Sequence, residues 1–189
     1  MLELVALGSD PDAARTVAQT HGGTAYLTDK PDPDRPFASM VRLATADPDA
    51  LAPAADLGLY LCYVRTMRRH PEQWRHPLPT PGVVAVFGMV RKDGLTHAEA
   101  DAHWRDIHAP LALRHHPGMW DYRQCSVVRT FAGVAYDGFA LCAFGSRTEL
   151  KERFFDGPEG QEIIRQDVAS FADGVRSPKR VLAQEWRFG

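Results

Sequence analysis

The chain has 189 residues, 44% of them hydrophobic and 24% charged, with a formal net charge of -2. That composition fits one generous globular domain or two small ones. It leaves no concentrated basic face for a nucleic acid, and no apolar run approaches the roughly 18–20 residues of a membrane span.

In chain order, Leu2–Gly8 (LELVALG) has the apolar run of a buried strand. The opening MLELVALGSD lacks the basic start and long apolar core of an export signal. DPDAARTVAQTHGG follows with a cap, a proline, an Ala/Val face and a glycine stop, which predicts a helix. TAYLTD and PFASMVRLAT read as strands, ADPDALAPAADLG as a short helix capped by Asp47, and GLYLCYVRTMRR as a fourth strand. Residues 70–81 are too rich in proline for a helix or a central strand and read as a linker. The pattern then starts again. GVVAVFGMVRK is a strand, and LTHAEADAHWRDIHAPLALRHH is helical with an interruption near Pro110. GMWDYRQCSVV and DGFALCAFG are strands, SRTELKERFF and PEGQEIIRQDVASF are helical, and KRVLAQEWRFG closes the chain as a strand. The basic RSPKR run, Arg176–Arg180, reads as a solvated connection.

The order β-α-β-β-α-β thus occurs twice, over residues 1–69 and 82–189. It predicts an α+β fold of tandem ferredoxin-like halves. Each half would bare one sheet face, and two such faces turned toward each other satisfy both. The expected product is an α+β barrel within one chain, with a cavity between the sheets. Two independent small domains are the alternative. Free outer strand edges would still allow a homodimer.

Four of the eight histidines fall between His103 and His116. His103 and His108 are five residues apart, roughly 140° around an α-helix, whereas a helical metal site uses a four-residue spacing. No metal site is expected. Ala100, Trp104, Ile107 and Leu111 recur at helical spacing as a buried face. His108 lies one turn after Trp104 and just before the break at Pro110, where it can point toward a cavity. His115 and His116 read as exposed, without a role. Strand parity puts Trp120, Tyr122, Gln124 and Ser126 on one face, a mixture suited to a planar organic ligand, and Gln184 and Trp186 repeat it in the last strand. Cys62, Cys125 and Cys142 lie in apolar runs with no close pairing, as reduced thiols of a cytoplasmic protein. No dinucleotide fingerprint, phosphate loop or nucleophile elbow is present, so no cofactor is expected.

RKDGLTHAEADAHWRDIHAPLA, from Arg91 to Ala112, resembles the EthD family. The likeness rests on the RKxGL opening and on the HWxxxHxPLA block with His103, Trp104, His108 and Pro110. It continues through Gly118, Tyr122 and Gln124, through Tyr136–Gly138 and Phe154–Gln161, and through Asp167 before Phe171. It spans Gly82 to about Gly189, and the first half lacks the histidine block. The resemblance implies a dimeric α+β barrel, usually built from two short chains, among whose relatives are cyclases, decarboxylases, dehydratases, isomerases, monooxygenases and haem-binding enzymes. Fold alone does not choose among them. The working expectation is a cofactor-independent lyase, isomerase or cyclase acting on a hydrophobic aromatic or polyketide-like carbonyl or phenolic metabolite. His108 would be the base, with Tyr122 and His103 as further catalytic groups and Gln124, Trp120, Trp186 and Gln184 contacting substrate. The alternatives are a non-catalytic binder and a haem- or oxygen-dependent monooxygenase.

Overall fold

A computed structural model describes residues 1–29, 32–70 and 79–188. The first half runs β1 (Leu2–Gly8), α1 (Pro11–His21), β2 (Thr24–Leu27), β3 (Ser39–Leu43), a 3₁₀ helix (Pro48–Ala54) and β4 (Gly58–Arg68). The second runs β5 (Val83–Met89), α2 (His97–His103), a π-helical turn (Trp104–His108) and α3 (Ala109–His115). After these come β6 (Met119–Gly133), β7 (Gly138–Phe144), α4 (Arg147–Glu152), α5 (Pro158–Phe171) and β8 (Val181–Arg187). Local chemistry sets several of these limits. Asp10 accepts from the amides of Asp12 and Ala13 to start α1, and Gly22 ends it at φ 69. Thr96 and Glu99 form a capping box on α2.

The strands close into a barrel in the order β1-β3-β2-β8-β5-β7-β6-β4, antiparallel throughout. Each half keeps the same internal order: β4-β1-β3-β2 in the first and β8-β5-β7-β6 in the second. Two seams join them. At one, β2 pairs with β8 over four residues, and at the other β4 pairs with β6 over ten. Closure leaves no free strand edge among the described strands, so the edge argument for a homodimer falls away. The proline-rich linker lies mostly outside the described residues.

Among the described residues the space between the sheets is packed, contrary to the expected cavity. Val5, Leu7, Tyr60, Val86, Phe139 and Leu141 point inward and meet in one packed core. An eight-stranded barrel is only wide enough for its inward side chains to fill. One end of the interior is polar. Arg42 holds Glu3 through two bonds of 2.9 and 3.2 Å and donates to the Tyr26 hydroxyl at 2.9 Å. Tyr26 donates to Glu185, which also pairs with Arg187 at 2.8 Å.

The helices cover the outside. In the first half, Ala14, Val17 and Ala18 of α1 press on Leu4, Ala25 and Val41, and the small alanines let helix and sheet meet closely. The second half buries Ala109, Ala112, Met119, Tyr122 and Phe144 in the same position. Larger side chains and an irregular helix there leave a space. Among the described residues, no helix is long and apolar enough to cross a membrane.

Candidate active site

The helical stretch before Pro110 is not a plain α-helix. From Trp104 to His108 it widens into a π-turn, and the Ala109 amide donates to the Trp104 carbonyl five residues back. Proline at 110 has no amide to offer, and its ring crowds the carbonyl four residues earlier, which favours a wider turn. The Trp104 carbonyl takes a second bond from Gln124 Nε2 at 2.9 Å. Widening the turn brings residues five apart onto one face. This overturns the expectation that His103 and His108 diverge.

Both histidines bind one carboxylate. His103 Nε2 lies 2.7 Å from Asp167 Oδ1, and His108 Nδ1 lies 2.7 Å from Asp167 Oδ2. Asp167 sits on α5, one turn before Phe171, whose ring stacks on His103 at 5.0 Å and leans on His108 at 5.3 Å. Burial works to raise the Asp167 carboxyl, but the hydrogen bonds and charges of His108 and His103 outweigh it and hold it below its ordinary value. An ionised Asp167 only accepts, so His108 carries its proton on Nδ1. Its Nε2 is the nitrogen left to act on a ligand.

His108 borders a cavity of about 320 Å³ between the helices and the outer face of β5, β6 and β7. Phe87, Met89, Trp104, Phe154, Ile164, Val168 and Phe171 make its walls apolar, and among the described residues none that lines it is Lys, Arg, Asp or Glu. Tyr122 reaches the same wall. Its oxygen accepts from Gln124 Nε2 at 3.0 Å. Burial pushes the Tyr122 hydroxyl far above its ordinary value, so it keeps its proton at neutral pH.

The sequence-predicted residues therefore divide. His108 and Tyr122 border the cavity. His103 stands behind His108 on Asp167, and Gln124 is fully buried behind Tyr122. Both are supports and not direct contacts. Trp120, Gln184 and Trp186 lie elsewhere. Trp120 packs against His70 at 4.4 Å, Gln184 donates to the Thr80 carbonyl, and Trp186 sits under the Arg15 guanidinium at 4.0 Å and stacks on Phe188. The common parity of Tyr122 and Gln124 is real, but it points them outward, toward the helices, while Cys125 and Val127 fill the barrel.

His115 and His116 are buried, contrary to the sequence reading. His115 bonds Asp156 at 2.9 Å. His116 borders the cavity, donates to the Phe154 carbonyl and stacks on the Phe154 ring at 4.5 Å. Its burial lowers it to about 4, so it is neutral at pH 7. Asp167 and Phe171 were visible in sequence only as parts of a motif. The signal that could have given Asp167 a role was the five-residue histidine spacing beside a proline. Cys142 also borders the cavity, and burial pushes its thiol up to about 12, far from a reactive thiolate. Among the described residues, no group of three or more His, Cys, Asp or Glu is arranged to hold a metal ion.

The helices that carry this histidine–aspartate pair also carry the sequence likeness. Residues 92–174 match the EthD domain. The EthD match thus takes in the π-turn, Tyr122, Gln124 and Asp167, and it leaves out the whole first half. No curated protein matches the chain by sequence. Among solved structures, an anthrone oxidase-like protein aligns with a TM-score of 0.57 at 10% identity, over all of this chain and 90% of its own. LmHde, a haem-degrading enzyme from Listeria monocytogenes, aligns at 0.54 and 9% identity over the whole of both chains. A monooxygenase-like protein from Listeria innocua aligns at 0.52 and 12%, over all of this chain and 96% of its own. At these identities the likeness is one of fold: a mixed α/β chain with an eight-stranded antiparallel sheet, similar to the dimeric α+β barrel proteins.

Proposed function

We propose that the chain is a pseudo-dimeric α+β barrel of tandem ferredoxin-like halves, residues 1–69 and 82–189, with one acid–base active site in the EthD half. The strand order repeated in the two halves supports the architecture. The observation that carries the chemistry is His108, tied through Nδ1 to a shared, ionised Asp167 at the border of an apolar cavity. In this reading His108 Nε2 removes a proton from the carbon beside a carbonyl of a neutral, hydrophobic aromatic or polyketide-like metabolite. Asp167 stabilises the imidazolium that results, and the Tyr122 hydroxyl donates to the developing enolate oxygen. Return of the proton to another carbon gives an isomerase, and loss of a leaving group gives a lyase. No bound cofactor enters these steps. Three free, buried cysteines favour a reducing compartment, and we place the protein in the cytoplasm.

The fold relative LmHde is a haem-degrading enzyme. A haem brings two propionates, and among the described residues no lysine or arginine lines this cavity. The wall suits a smaller, uncharged molecule better.

The test is solvent deuterium exchange into aryl ketones with an acidic C–H, such as phenylacetone, followed by NMR. The protein should accelerate exchange, and His108→Ala should lower the rate by about 10²–10⁴-fold while the fold is retained. Asp167→Asn should cost less, because the base survives but loses its counter-charge. Unchanged exchange by a folded His108→Ala protein would end the catalytic reading. Tight ligand binding with no exchange in the native protein would leave a carrier.

A further inference from the structure

The Tyr122 hydroxyl has its acceptor side occupied. Gln124 Nε2 bonds it at 3.0 Å and the Trp104 carbonyl at 2.9 Å. The amide orientation is fixed by chemistry, because a backbone carbonyl only accepts and so must face the nitrogen of Gln124. Gln124 Oε1 is left buried without a partner, an arrangement that costs stability. Among the described residues, no group accepts the Tyr122 proton. A buried hydroxyl that already accepts from Gln124 has its own hydrogen left to offer, and Tyr122 borders the cavity.

We propose that Gln124, anchored on the Trp104 carbonyl, holds Tyr122 as a hydrogen-bond donor to the cavity, so that the ligand it recognises presents an acceptor oxygen of the ketone or quinone type and not a phenol. This rests on the cavity being the substrate site, and it decides between the carbonyl and phenolic substrates left open by the sequence. A neutral ketone satisfies the donor and brings no proton of its own. The wall without charged side chains suits such a molecule. Gln124 is then a positioning residue. It touches no ligand, and it links the π-turn that carries His108 to the hydroxyl that receives the oxygen.

The test uses fluorenone, fluorenol and fluorene as shape-matched probes on the intact protein. Binding is followed by tryptophan fluorescence, and the bound ketone by its infrared carbonyl stretch. Fluorenone should bind about five- to tenfold more tightly than fluorene and more tightly than fluorenol, with its carbonyl stretch shifted to lower frequency. Tyr122→Phe should abolish both the preference and the shift. The near-isosteric Gln124→Glu should do the same with Tyr122 in place, because its carboxylate takes the tyrosine proton. A carbonyl shift that survives Tyr122→Phe overturns the proposal, and so does fluorenol binding as tightly as fluorenone. If Gln124→Glu does not fold, the Tyr122→Phe comparison decides alone. These readouts are separate from turnover: the shift should persist in His108→Ala, so loss of the acid–base reading would leave this result standing.

Discussion

Asp167 gathers two imidazoles on one carboxylate, and Asp137 does related work a few residues from the barrel seam. Asp137 accepts from the Arg91 guanidinium at 2.6 Å and from the Arg91 amide at 2.8 Å, and His97 Nδ1 lies 3.1 Å away. Burial alone would raise its carboxyl, but these partners lower it to about 2. A carboxyl lowered in the folded state stabilises the protein above its unfolded value, and that contribution is lost as pH falls through the folded value. The stabilisation should be full above about pH 5 and gone near pH 2, on the order of 2 kcal/mol. Urea unfolding of Asp137→Asn should show that deficit at pH 7 and a much smaller one near pH 2. An equal deficit at both pH values would mean that Asp137 acts through packing and not through its charge.

Among the elements, the π-turn is the one on which the site depends. Pro110→Ala restores an amide that can bond to the Asp106 carbonyl four residues back. A turn that relaxes to α would separate His103 and His108 by roughly 140° and break one of the two bonds to Asp167. The expected result is a fall in activity with no loss of thermal stability, and histidine side-chain NMR should report only one ring bound to the carboxylate. Retention of both bonds would show that Trp104 and Gln124 hold the turn without the proline. This is also where sequence reading ran out. The order of strands and helices follows from hydrophobic period and caps, and the buried Trp104 face from its spacing. A fixed 100° per residue cannot anticipate a wider turn, so His103 was set apart from His108. Parity joined Tyr122 to Gln124 correctly but cannot say which side of a sheet is covered by helices. Gln184 and Trp186 shared the composition of a pocket wall and belong to the other half's outer face.

For the molecule as a whole, the contrast between halves matters most. Among the described residues, the helices of the first half hold no counterpart of the His108–Asp167 pair, so the repeat of strand order is not a repeat of the site. Titration with fluorenone should accordingly saturate at one equivalent per chain. Two equivalents of similar affinity would contradict the division of labour.

The two seams of the barrel differ in length, ten residue pairs against four. Of the two seams, the one held by fewer bonds is Thr24–Leu27 against Gln184–Arg187, and β8 is held on its other side by only three residue pairs with β5. The Arg42–Tyr26–Glu185 chain of hydrogen bonds spans this short seam from inside and acts as its clasp. Breathing motions of the barrel would then be channelled to β8, away from the long β4–β6 seam. Backbone amides of β2 and β8 should exchange with solvent earlier than those where β4 meets β6, leaving Tyr122 and Gln124 on the part of the ring that opens last.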